Sequence, residues 1–208
     1  MNRVRIKFCG ITRGEDAQAA AALGVDALGF VFTRRSPRFV EPAAAASIRR
    51  ALPPFVTAVA LFMDDDPAWI NEVIATFRPQ LLQFHGRETA ADCALPGLPY
   101  LKAVAMASVP DVASYAAGFP AASGFLLDAH AYGEQGGRGE CFDWSRVRAL
   151  ERAVILAGGL DAGNVAAAIA QTRPHAVDVS SGIERAAGIK DARRMQDFVA
   201  AVRSVQTE

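Results

Sequence analysis

Short apolar runs alternate with longer, alanine-rich segments along the whole chain. "VRIKFC" (4–9) predicts a first strand, and "GEDAQAAAALG" (14–24) a helix with acidic residues in its first turn and Gly24 as its stop. Further strands are expected at 26–32, 55–62, 80–85, 100–105, 124–128, 153–158 and 176–181. Helices are expected at 41–52, 66–77, 88–94, 109–117, 144–150, 162–172 and 191–205. Pro42 and Pro67 stand near first helical positions, where a missing N–H costs nothing. In the last helix Met195, Phe198, Val199 and Val202 repeat at i, i+3, i+4, i+7 as one apolar face, and Asp191 is placed to cap it.

Eight strands and eight helices in strict alternation bound the architecture. Strands that run nearly continuously apolar imply a parallel sheet covered on both faces. An open doubly wound sheet typically uses about five or six such units, whereas eight units in 208 residues predict an α/β fold of the closed (β/α)₈, or TIM-barrel, type. With no linker or low-complexity stretch between units, residues 1–208 are expected to form a single domain.

Composition narrows the function classes. The 22 basic and 22 acidic side chains cancel, so no net field draws the chain to nucleic acid or to an anionic membrane. No apolar stretch approaches the roughly 20 residues needed to span a bilayer, and the N-terminus lacks the apolar core of a signal peptide. Cys9, Cys93 and Cys141 are too far apart to read as a disulfide framework or a zinc motif, which suits a reducing cytoplasm.

Barrel enzymes place their chemistry at the C-terminal ends of their strands. Those ends carry Cys9 with Gly10; the loop "TRRSPR" (33–38); Gln83 and His85; Asp128; "GGL" (158–160); and Asp178 before "SSG" (180–182). Gly158 and Gly159 beside Ser180, Ser181 and Gly182 expose backbone N–H groups and hydroxyls, a phosphate cradle where such barrels often hold phosphate, or simply two tight turns. Cys9 and Asp128 can face each other across the mouth as base and acid, or can be an inert small hydrophobe and a loop cap. Lys102 and Asp178 are costly in apolar strands unless paired, so both are expected to point into the mouth, as substrate contacts or as a mutual ion pair. Arg34 and Arg35 read as solvated, His85 as a ligand or a satisfied strand-end residue, and His130 and His175 as loop residues. Three scattered histidines argue against a metal site.

The motifs together resemble the phosphoribosylanthranilate isomerase family. They are "KFCGIT" (7–12), "DALGFVF" (26–32), "SPRFV" (36–40), "QFHG" (83–86), "LLD" (126–128), "GGRGECFDW" (136–144), "AGGL" (157–160), "VDVSSGIE" (177–184) and "GIKD" (188–191), in family order from end to end. The resemblance implies a cofactor-free Amadori rearrangement of the small molecule phosphoribosylanthranilate by a monomer or homodimer. It further implies Asp128 as general acid, Cys9 as general base, Arg38 on the anthranilate carboxylate, and the GGL and DVSSG segments around the phosphate. Gln83, His85, Lys102 and Asp178 are the remaining substrate-binding candidates. Opposite pKa tuning, a neutral Asp128 and an ionised Cys9, is expected. The long glycine-rich loop 128–142 is expected to act as a lid. A pentose phosphate epimerase would need a metal set that the strand ends lack, and the histidine-pathway aminoaldose isomerase uses an aspartate where Cys9 stands. A non-catalytic phosphate-binding scaffold would have little reason to keep both Cys9 and Asp128.

Overall fold

The computed structural model describes residues 3–131, 141–147 and 150–205. Eight strands, β1 (Arg5–Cys9), β2 (Ala27–Val31), β3 (Thr57–Phe62), β4 (Leu81–Phe84), β5 (Tyr100–Ala105), β6 (Gly124–Asp128), β7 (Ala153–Leu156) and β8 (Ala176–Val179), pair in chain order. All pairings are parallel, and β8 returns to β1 to close the barrel. The helices among the described residues are α1 (Gly14–Ala22), α2 (Pro42–Arg50), α3 (Pro67–Phe77), α4 (Ala90–Ala94), α5 (Val112–Ala117), α6 (Val165–Thr172) and α7 (Ala192–Ser204). Asp191 caps α7 by accepting from the N–H groups of Arg193 and Arg194.

Among the elements, one expectation changes and one element is added. The helix expected at 144–150 is a single 3-10 turn, Trp144–Arg146, and Val147 after it is extended. One turn is too short to repay helix nucleation. Tertiary contacts hold it instead: the Arg146 guanidinium donates to the carbonyls of Met106 and Val109, both at 2.7 Å. After β8 the chain also makes a short antiparallel hairpin, β9 (Glu184–Ala186) and β10 (Ile189–Lys190), which turns through Gly188 at φ +76°. Of the loop expected as a lid, residues 132–140 lie outside the described residues.

Side chains alternate across each strand, so the barrel has two apolar layers. Phe8, Phe30, Phe62, Phe84 and Leu127 face outward into the helices. Phe30 meets Phe77 of α3 at 4.9 Å between ring centroids, and Phe8 meets Phe198 of α7 at 6.1 Å. Leu101, Ala103, Leu126, Ile155, Ala157 and Ala176 fill the lumen.

This alternation corrects the placement of Lys102. Leu101 and Ala103 take the lumen side of β5, which sends Lys102 outward, fully buried between strand and helices. Its ammonium donates to the Gly86 carbonyl at 2.6 Å and to Glu88 Oε2 at 2.9 Å, 5.6 Å from the Phe119 ring centre. Lys102 therefore neither points into the mouth nor pairs with Asp178, which the register places opposite Lys7. Removing one partner of a buried pair strands the other charge, so Lys102→Met should lower folding stability by about 3 kcal/mol in urea denaturation while KM stays near that of the parent.

Candidate active site

Cys9 ends β1, and two glycines make room around it. Gly10 turns the chain away at φ +77°, and a Cβ there would stand 2.5 Å from Arg38 Cδ and 3.1 Å from Ser180 Oγ. On β2, a Cβ at Gly29 would stand 2.8 Å from Cys9 Sγ and 3.0 Å from Lys7 Nζ. The pocket above has an apolar wall of Val31, Leu61 and Met63. Its polar groups include Cys9, Arg38, His85, Asp128, Asp178 and Ser180. Six strand ends and loops thus converge on one cleft that can take a planar apolar ring beside polar substituents.

Asp128 sits between two histidines. His85 Nε2 lies 3.3 Å from its Oδ2, and His130 Nδ1 stands 3.5 Å from its Oδ1, just beyond a hydrogen bond. The two imidazoles stack at 4.6 Å with planes 28° apart. Gln83 contacts His85 Nδ1 at 3.1 Å and fixes that ring. His130 lies in the loop after β6, as expected, but is buried, and contrary to the expectation of three scattered histidines it stands beside His85. His85, Asp128 and His130 offer three ligand atoms within 4.8 Å of one another. Gln83 donates to His85 Nδ1, so His85 presents Nε2–H to the Asp128 carboxylate and, in this arrangement, both ring nitrogens of His85 are already engaged.

A second buried network organises Arg38. Its Nε donates to Glu184 Oε1 at 3.0 Å and its Nη2 to Oε2 at 2.8 Å. Nη1 has no hydrogen-bond partner among the described residues. Lys190, delivered by the β9–β10 hairpin, donates to Glu184 Oε1 at 2.8 Å, to the Ser180 carbonyl at 3.3 Å and to the Cys9 carbonyl. It ties the ends of β1 and β8 together. Inside the mouth, Lys7 Nζ and Asp178 Oδ1 form a 2.8 Å buried pair.

The protonation of the free site runs opposite to the expected tuning. Burial pushes the Asp128 carboxyl up, but His130 and His85 outweigh it and hold it well below the usual carboxylate range. Burial pushes the Cys9 thiol up, and Asp178 adds to the rise, while Lys7 and Lys190 oppose it. Burial also dominates at His85, whose pKa is lowered. Glu184 is desolvated too, yet Arg38 and Lys190 keep its pKa lowered.

The remaining candidates lie on the loops after β7 and β8. Gly158 has φ +78° and Gly159 φ +63°, and a Cβ on Gly158 would stand 2.5 Å from the Ala129 nitrogen. Ser181 and Gly182 belong to a 3-10 turn, with Gly182 so close to the Leu160 carbonyl that any side chain there would collide with it. The two loops are therefore packed together, and the Ser180 hydroxyl beside them is buried without a partner among the described residues. Arg34 stacks 3.9 Å over the Trp69 ring, and Arg35 donates to the Met63 carbonyl, both outside the pocket. Sequence reasoning missed Lys7, His130, Glu184 and Lys190. For Lys7 and His130 a signal existed, since each lies two positions from Cys9 or Asp128.

Residues 6–201 match the family described as N-(5'-phosphoribosyl)anthranilate isomerase. The chain belongs to this family. It is 52% identical to the N-(5'-phosphoribosyl)anthranilate isomerase of Pseudomonas aeruginosa (strain UCBPP-PA14), across 98% of this chain and 97% of that one. The phosphoribosylanthranilate isomerase structure from Thermus thermophilus superposes with a TM-score of 0.87 at 38% identity, covering 97% of this chain and all of that one. Another isomerase of the family, solved with reduced 1-(o-carboxyphenylamino)-1-deoxyribulose 5-phosphate, gives a TM-score of 0.81 at 34% identity, across 97% and 99% of the two chains.

Because His85 is held neutral, the unfolded chain binds a proton below about pH 6.5 that the folded one does not. Folding stability should fall as pH drops through that range. In His85→Gln the loss between about pH 7.5 and pH 5.5, read from urea midpoints, should be smaller than in the parent.

Proposed function

We infer that this chain isomerises N-(5'-phosphoribosyl)anthranilate to 1-(2-carboxyphenylamino)-1-deoxyribulose 5-phosphate, the third step of tryptophan synthesis from chorismate. The observation that carries this reading is a single pocket holding a thiol, a carboxyl and an arginine at the ends of different barrel strands, in a chain that matches the family over residues 6–201. It acts in the cytoplasm as a monomer or a homodimer; among the described residues no helix is long and apolar enough to cross a membrane.

Each step follows from a group at the mouth. Arg38 takes the anthranilate carboxylate through its remaining Nη1, with Glu184 holding the guanidinium fork in place. The aromatic ring lies against Val31, Leu61 and Met63. Gly158, Gly159, Ser180, Ser181 and Gly182 receive the phosphate through backbone N–H groups and hydroxyls. Asp178 faces the sugar hydroxyls, and Gln83 acts through His85 rather than on the substrate.

Asp128 then donates its proton to the ribose ring oxygen as the C1–O bond breaks, leaving a protonated imine between C1 and the anthranilate nitrogen. Cys9 as thiolate removes the C2 proton, and the electron pair moves into a C1–C2 double bond while the imine is neutralised. The enolamine becomes the aminoketone when C1 gains a proton and the C2 hydroxyl loses one, returning both catalytic groups to their starting states. The protonated imine is the electron sink for the whole sequence. Substrate itself helps the proton onto Asp128, since its carboxylate and phosphate bring negative charge that disfavours a further carboxylate nearby.

Cys9→Ala and Asp128→Asn should each lower kcat at least about 100-fold, the lower range for positioned acid–base groups, with KM little changed. Near-normal turnover in both would refute the assignment. The activity itself is read directly by fluorescence: substrate generated from anthranilate and phosphoribosyl pyrophosphate by the preceding transferase should lose its signal when this protein is added, and an unchanged signal would overturn the reading.

A further inference from the structure

A buried thiol that must act as a base needs a positive charge beside it, and the structure places two ammonium groups near Cys9. Lys190 is already committed to Glu184 and to the carbonyls of Ser180 and Cys9. Lys7 is different. It sits two residues before Cys9 on the lumen face of β1, nearly fully buried, and among the described residues its one ion-pair partner is Asp178 at 2.8 Å. The bare Cα of Gly29 lets Lys7 Nζ and Cys9 Sγ crowd the same face of β2. Arg38, the next cation in the pocket, is engaged by Glu184.

We propose that Lys7 is the positioning residue that holds Cys9 ready as a base, and that Asp178, by sharing the same ammonium, sets how much of its charge the sulfur receives. The proposal rests on the reading of Cys9 as general base. Lys7 remains charged in its site: burial works against the ammonium, but Asp178 and Cys9 outweigh it and raise its pKa. At Cys9 the groups act with opposite signs, Lys7 and Lys190 favouring thiolate and Asp178 opposing it. Lys7 therefore acts through Cys9, and Asp178 has a role in the ionisation of the base as well as a face toward the pocket.

The opposed signs give the test. The rate of Cys9 alkylation by iodoacetamide, followed by peptide mass against pH in the ligand-free protein, reports thiolate at this one residue; Cys93 and Cys141 are resolved as separate peptides. Lys7→Met should slow Cys9 alkylation near neutral pH about tenfold or more, one pKa unit being a tenfold change in thiolate fraction. Asp178→Asn should accelerate it. Because Lys7→Met leaves Asp178 buried without its partner and can fail to fold, the neutral double variant Lys7→Met/Asp178→Asn is the second arm, and it too should react more slowly than the parent. Shifts of the single variants in the same direction, or a double variant that reacts as fast as the parent, would overturn the proposal. Turnover separates this from the underlying reading. Full activity in Cys9→Ala would remove Cys9 as the base while leaving the alkylation result standing, whereas an inactive Cys9→Ala with unmoved alkylation would retire Lys7 alone.

Discussion

Closing eight parallel strands into a barrel leaves every second side chain with nowhere to go but the lumen. The strand-borne part of the active site follows from that constraint. Deep in the barrel the lumen is filled by Leu101, Leu126, Ile155 and small residues. One pleat higher, the same alternation brings Lys7 and Asp178 into one layer, and at the rim it presents Cys9, His85 and Asp128 to a common space. The catalytic candidates come together because the strands that carry them are parallel and in register, so their ends finish at one face.

Charges placed in such a mouth must be matched, since an unpaired buried ion is expensive. The chain answers with pairs that also position. Lys7 with Asp178 lies beneath the thiol, Arg38 with Glu184 aims a guanidinium edge at the cleft, and Lys190 bridges Glu184 to the backbone of Cys9 and Ser180. The short hairpin β9–β10 exists to deliver Lys190 and to let Gly188 donate its N–H to Glu184 at 3.2 Å. The free site keeps the proton on sulfur and off Asp128, the reverse of the arrangement that the proposed acid–base roles require.

The architecture was legible because its signals are local. Apolar runs, proline at helix starts and Asp191 before the last amphipathic segment each depend on a few neighbouring residues, and the strands fall within a few positions of where they were expected. The segment 144–150 misled for the same reason: its composition suits a helix, but Arg146 spends its guanidinium on carbonyls 37 and 40 residues away. Lys102 misled because a lysine inside an apolar strand shows only that it must be paired. Which side of the strand it takes is decided by Leu101 and Ala103, which occupy the lumen.

By itself the sequence determined the eight strands, the family motifs and the chemical types at the strand ends, because period, composition and motif order are properties of the linear chain. Only the tertiary structure decided who faces whom. Lys7 and Asp178 are 171 residues apart, Arg38 and Glu184 146, and Cys9 and Lys190 181, yet each pair is in contact. Partners so distant carry no mark of one another in the linear order. Closure of the barrel from β8 onto β1 brings them within reach, and the cost of leaving a buried charge alone holds them there.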